Sequence, residues 1–193
     1  MALIVVGGQA KHVGKTTLVC EIIRHFANAQ WLAAKITTHL HEPAQCLAVS
    51  SGSAWKICEQ DVPAPDVDTG RYLVAGARRS LLVCAESGSL SDACSELKKE
   101  LSRSPNAIVE STSAVPFLAP DLFILLVKPD EQNVKASTLE HFGRAHVLVT
   151  APTAHSDIEF DDAKHVPRFE LLKTGIDAGL AAMVRRSLKL PGS

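Results

Sequence analysis

The sequence has no excess of charge of one sign. Its 20 Lys and Arg stand against 21 Asp and Glu, and a net charge of −1 argues against a general nucleic-acid or membrane-surface binder. It has no apolar run long enough to cross a bilayer. A basic leader region is missing too: Met1, Ala2, Leu3 and Ile4 run straight into an apolar segment, so no secretory signal is expected. No repeat, low-complexity tract or linker interrupts the chain. The five cysteines, Cys20, Cys46, Cys58, Cys84 and Cys94, include no Cys-x-x-Cys pair, and Cys20 and Cys84 lie inside apolar segments. These absences leave the expectation of a cytoplasmic protein with reduced thiols. What is present is 193 residues, 46% of them apolar, enough for one domain over residues 1–193 with a real core.

Apolar periodicity alternates between strand and helix. Residues 2–6 are a short β-branched run followed by glycines, which reads as a buried strand. Leu18, Val19, Ile22, Ile23 and Phe26 have helical spacing over residues 16–27, with Asn28 as a stop, and residues 31–37 read as a second strand. Strand, glycine loop, helix and strand make the unit of a parallel sheet. Further strands are predicted at residues 79–85, 107–109, 122–127 and 147–150. Leu90, Ala93, Cys94, Leu97 and Leu101 predict an amphipathic helix, with Ser89 and Asp92 placed for a capping box. Ile176, Leu180, Met183, Val184 and Leu188 predict another, with Thr174 and Asp177 at its start and Arg185, Arg186 and Lys189 at its end. Residues 39–68 are irregular, and so either functional or a small hairpin excursion.

One further absence matters most. The common phosphate-binding loop has Gly, four residues, then Gly-Lys-Ser/Thr. Gly14-Lys15-Thr16 supplies the end, but Gln9 stands where the first glycine belongs, and Gly8 comes one place early. The strand before and the helix after are the context such a loop requires. The start of a helix offers free N–H groups and a positive dipole end to an anion. In this reading Gly8, Val13, Gly14 and Thr17 help wrap the phosphates. Lys15 reaches the outer ones, and Thr16 places its hydroxyl on Mg²⁺. Lys11 and His12 lie inside the loop and either add charge there or form a solvated face. The five-residue spacing resembles that of dethiobiotin synthetases and CTP synthases.

"KITTHLH" puts Lys35, Thr37, His39 and His41 at or beyond the carboxyl end of the second strand, where ligands of parallel sheets collect. Lys35 is a candidate for the γ-phosphate or an anionic substrate. His39 and His41 lack a third ligand at clear spacing for zinc. A polar helix start at Asp68 and Thr69, a small-residue turn at Ala75, Gly76 and Ala77, and a buried strand follow. Arg71 faces either the site or solvent. The carboxylate that phosphate-loop proteins need is Glu110, after Ala107, Ile108 and Val109, with Asp66 and Asp68 in reserve. For the base, Asp130 in "VKPD" mimics part of a guanine-reading Asn-Lys-x-Asp motif, and residues 150–153 compete with it.

"KITTHLH" and "DTGRYLVAGARRSLLV" resemble MobB-type proteins, the GTP-binding adaptors of molybdenum-cofactor guanylylation. The resemblance covers about the first two-thirds of the chain. It departs at Ser111, where the family has Gly after the glutamate, and at Asn106, where an aspartate often precedes the strand. It implies an α/β fold of P-loop NTPase type, three layers with a mostly parallel sheet. It further implies Mg²⁺ held by Thr16 and Glu110, bound GTP or ATP, slow hydrolysis at most, a homodimer and a molybdenum-cofactor biosynthesis partner. Lys15, Glu110 and Lys35 would carry any chemistry. A ligase similar to dethiobiotin synthetase, acting on a small carboxylate or carbamate, and a nucleotide-gated module without chemistry are the alternatives.

Overall fold

The computed structural model describes residues 1–38, 46–128, 134–150 and 165–190. The strands are β1 (Ala2–Gly8), β2 (Trp31–Thr37), β3 (Leu47–Ser51), β4 (Trp55–Gln60), β5 (Arg79–Ala85), β6 (Asn106–Glu110), β7 (Leu122–Val127), β8 (Val147–Thr150) and β9 (Arg168–Glu170). The helices are α1 (Lys15–His25), α2 (Asp68–Ala75), α3 (Leu90–Leu101), α4 (Val115–Leu118), α5 (Ala136–His141) and α6 (Ala178–Ser187). The strands form one sheet in the order β3-β4-β5-β2-β6-β1-β7-β8-β9. From β5 to β9 every pairing is parallel, and β3 and β4 join antiparallel at one edge.

The central strands are buried on both faces, which is why they read as unbroken apolar runs. Ile4, Val6, Ala33, Ile108 and Ile124 pack on one face with residues of α1, α2 and α6. Leu3, Val5, Leu32, Ala34, Val109, Phe123 and Leu125 pack on the other with α3 and α4. These are the three layers expected of an α/β fold with a mostly parallel sheet.

Helix ends follow local chemistry. Asp177 caps α6, its carboxylate accepting from the N–H groups of Gly179 (2.7 Å) and Leu180 (3.2 Å). Gly76 ends α2 at φ 108°, where only glycine is unstrained, and the N–H of Ala77 closes the turn on Tyr72 O at 3.0 Å. The capping box expected at Ser89 does not form, since no side-chain bond caps α3. Helices α4 and α5 and strand β9 carry no clear periodicity because each is only three to six residues long.

Of two local expectations, one is narrowed to a stated alternative and the other changes. The irregular stretch resolves, over residues 47–60, into the β3–β4 hairpin that extends the sheet. And Cys46 and Cys58 are joined by a disulfide, while Cys20, Cys84 and Cys94 are buried and form no disulfide. The reading of all five as reduced thiols is therefore corrected. The pair is 12 residues apart, and only the hairpin brings its Cα atoms to 5.5 Å. With it goes the cysteine argument for a reducing compartment. Closing a loop of this size restricts the unfolded chain by about 3 kcal/mol. Reduction is expected to lower the thermal midpoint by several degrees. Melting with and without dithiothreitol checks this, with a Cys46→Ser variant insensitive to the reductant.

Candidate functional site

The register of the parallel strands builds the site. Glu110, at the end of β6, lies opposite Val6 of β1 and Lys35 of β2. Lys35 shares the sheet face of Ala33, and Glu110 that of Ile108, so both project toward α1 and α2. A cavity of about 690 Å³ opens over these strand ends, a size typical of small-molecule sites. Its walls carry Lys11, Lys15, Lys35, Arg71 and Lys135 against Asp68 and Glu110, so the lining is electropositive.

Helix α1 begins under this cavity. Gly14 sits at its N-cap with φ 101°, the left-handed region. The first helical bond runs from Leu18 N to Gly14 O, so the amides of Lys15, Thr16 and Thr17 have no partner within the helix. Gly8 is needed for another reason. Its N–H donates to Thr112 Oγ1 at 2.9 Å, and a Cβ there would lie 2.8 Å from the Lys15 stem. Gly8 thus lets the lysine lie flat across the strand end. Gln9, in the place of the usual glycine, is buried, and its Oε1 accepts from Lys128 N at 2.9 Å. The longer loop is anchored by that side chain to the end of β7. Val13 turns into the core rather than the cavity, and exposed His12 has φ 59°.

Thr16 donates its hydroxyl proton to Glu110 Oε2 at 2.8 Å, across 94 residues of sequence. Tyr72, fully buried on α2, donates to the same oxygen at 2.5 Å. Lys35 donates to Glu110 Oε1 at 3.2 Å and also pairs with Asp68. Arg71 stands 3.6 Å from Asp68 and lines the cavity, so of its two readings the site-facing one is seen. Burial and then the Glu110 and Asp68 charges act in opposition on Lys35, and the carboxylates prevail to hold its amine above the ordinary range. Burial pushes the Tyr72 hydroxyl well up, so it stays a proton donor. Lys15 donates to Ala10 O at 2.9 Å; burial, against Glu110, lowers it from 10.5 to about 8.

Oxygen donors suited to a hard divalent cation converge here: the Thr16 hydroxyl and the Asp68 and Glu110 carboxylates. Among the described residues no group of three or more His, Cys, Asp or Glu could hold a metal ion. A few oxygen ligands completed by water and phosphate are what Mg²⁺ uses, so the residues fit it.

Of the residues singled out from sequence, Lys11, His12, Gly14, Lys15, Thr16, Thr17, Lys35, Thr37, Asp68, Arg71 and Glu110 line one cavity. Asp66 is exposed and away from it. His39, His41, Asp130 and residues 151–153 lie outside the described residues. Tyr72 and Lys135 were not foreseen. Tyr72 is the chain's single tyrosine and falls four residues after Asp68, a spacing that shares one helix face and could have flagged it. Ser111 donates its N–H to Val6 O (3.1 Å) and accepts from Ala114 N (3.3 Å), so it prolongs the strand and turns it into α4. Asn106 is structural, bonding Ala29 O and both N–H and C=O of Lys189.

No family model matches the sequence, and no curated protein matches it either. Solved structures do. HypB from Helicobacter pylori in complex with nickel superposes with a TM-score of 0.55 at 14% identity, covering 100% of this chain and 91% of that one. Zn(II)-bound YjiA GTPase from E. coli gives 0.50 at 16%, covering 94% and 60%. LpxK from Aquifex aeolicus in complex with ATP gives 0.50 at 18%, covering 88% and 53%. The chain thus spans little more than half the length of the last two. At these identities the likeness establishes the fold, that of P-loop NTPases. No described helix is long and apolar enough to cross a membrane.

Proposed function

We propose that the cavity binds a nucleoside triphosphate with Mg²⁺. The observation that carries this is the bond from Thr16 to Glu110 beside the first-turn amides of α1, which have no partner within the helix. The amides of Val13 to Thr17 and the charges of Lys15 and Lys11 receive the phosphates, with His12 beside them and Gly8 and Gly14 permitting the close approach. Thr16 and Glu110, with Asp68 beside them, are the residues that hold Mg²⁺, which when bound neutralises and orients phosphate oxygens. Lys15 stabilises charge on a transferring phosphoryl group, and Lys35 lies on its other flank. Glu110 is aimed by three donors, Thr16, Lys35 and Tyr72, so it does not have to reorganise on binding.

The finer reading is a MobB-like adaptor: GTP in preference to ATP, slow hydrolysis, a homodimer and a molybdenum-cofactor biosynthesis partner, with the base read near Asp130. It is supported by the residues of "KITTHLH" and "DTGRYLVAGA". A dethiobiotin synthetase-like ligase is the second reading. Lys35, Thr37 and Arg71 favour it, since they extend the lining beyond the loop toward room for an acidic substrate. Titration with Mg-GTP and Mg-ATP, followed by turnover with and without small carboxylates, separates them. Slow intrinsic hydrolysis supports the adaptor and acid-dependent turnover the ligase. Failure to bind either nucleotide removes both.

The binding reading carries a pH signature. Lys15 sits at about 8 in the empty cavity, and a triphosphate raises it by adding negative charge. Above that pH the complex holds more protons than the free protein. Affinity is therefore expected to fall as pH rises past about 8, by at most about tenfold per unit. Calorimetry in two buffers of different ionisation enthalpy measures the proton uptake, and no uptake at pH 9 would count against Lys15 as a phosphate ligand.

A further inference from the structure

Lys135 is a cation that nothing in the sequence pointed to. It immediately precedes α5, and its N–H donates to Gln9 O at 2.9 Å, so its backbone is tied to the phosphate loop itself. Its half-buried side chain lines the cavity, and no ion-pair partner for it occurs among the described residues. Among the described residues, the charged groups around it are Lys11, Lys15 and Lys35, with Glu110 as the one carboxylate. Burial first, and then Lys11, depress its proton affinity. Lys15, Lys35 and Lys135 thus reach one cavity from three different segments: the first turn of α1, the end of β2 and the start of α5.

A half-buried ammonium surrounded by like charge is unfavourable in the empty protein and gains a partner only when an anion enters. Lys15 and Lys35 have protein oxygens to bond, namely Ala10 O and the two carboxylates. We propose that Lys135 is a further ligand-binding residue, whose ammonium contacts the terminal phosphate of the bound triphosphate from the side opposite Glu110. This rests on the triphosphate reading above and adds to it a residue that separates triphosphate from diphosphate. The arrangement also gives the cost of keeping it: the empty protein is no more stable for having Lys135.

The test compares the unmodified chain with Lys135→Ala and with Lys135→Gln, which keeps much of the apolar stem. Calorimetric affinities are measured for β,γ-methylene ATP and GTP and for ADP and GDP, all with Mg²⁺. Losing one charged hydrogen bond should weaken triphosphate binding about tenfold to a hundredfold and leave the diphosphates within about threefold. The nucleotide-free melting temperature should be unchanged or raised in both variants. Equal losses on both classes of nucleotide, no loss on either, or a melting temperature several degrees lower would each overturn the proposal. If the unmodified chain binds no nucleotide, the underlying triphosphate reading fails. If it binds and the variants bind alike, only the role of Lys135 fails.

Discussion

Replacing Lys15 with alanine is expected to reduce triphosphate affinity by a hundredfold or more while leaving the chain folded. Removing one member of a desolvated charge pair costs about 2–5 kcal/mol, so two orders of magnitude lie well inside the range. The folded state loses little, for a reason visible in the site. The ammonium is held below its ordinary range by burial, so in the empty protein its charge is a liability. Among the described residues it donates to the carbonyl of Ala10, within its own loop. Between about pH 8 and 10.5 the unfolded chain binds the Lys15 proton more readily than the folded one, so the unmodified protein gains stability from this group as pH rises through that window. The variant should lack that gain. Unchanged affinity in a calorimetric titration would contradict the assignment of Lys15 to the phosphates.

Exchanging Glu110 for glutamine is expected to preserve nucleotide affinity within a few-fold and to reduce Mg²⁺-dependent turnover by about 10²–10³. The carboxylate is almost fully buried and accepts from Thr16, Tyr72 and Lys35. An amide has the same shape but offers one accepting oxygen and one donating nitrogen. Whichever way it turns, its NH₂ faces a donor. If the nitrogen points at Lys35, the amine falls back on Asp68 alone; if it points at Thr16, the Thr16 and Tyr72 hydroxyls both lose that acceptor. In the proposed site the phosphates touch neither arrangement directly, so binding should persist while Mg²⁺ would lose a charged ligand. A stability loss of about 1–3 kcal/mol should accompany the change, from one unsatisfied buried donor. Turnover equal to that of the unmodified chain, with Mg²⁺ titrated over the same range, would remove Glu110 from its role.

Much of this site was legible because its chemistry is local. Gly14, Lys15 and Thr16 announce themselves by adjacency, and the flanking strand and helix are legible from period alone. Trp31–Thr37 and Arg79–Ala85 were bounded to the residue because each is a short, mostly apolar run between polar neighbours. The Cys46–Cys58 bond was not legible, because twelve residues of separation carry no spacing signal and the hairpin register makes the pair. Lys135 was not legible either. A lysine before a six-residue helix looks like any surface lysine until Gln9 ties it to the loop.

Read as a string, the chain encodes an alternating α/β pattern, a Gly-x5-Gly-Lys-Thr loop between a strand and a helix, and a glutamate at a strand end. Periodicity and nearest-neighbour chemistry suffice for these, since each lies within one element. Only the tertiary structure decided which strands adjoin. Placing β6 between β1 and β2 sets Glu110 beside both Lys35 and the start of α1, and lays α2 over them so that Tyr72 closes on the carboxylate. Strand order is settled by packing both faces of the sheet at once, a property of the whole chain that no single segment encodes.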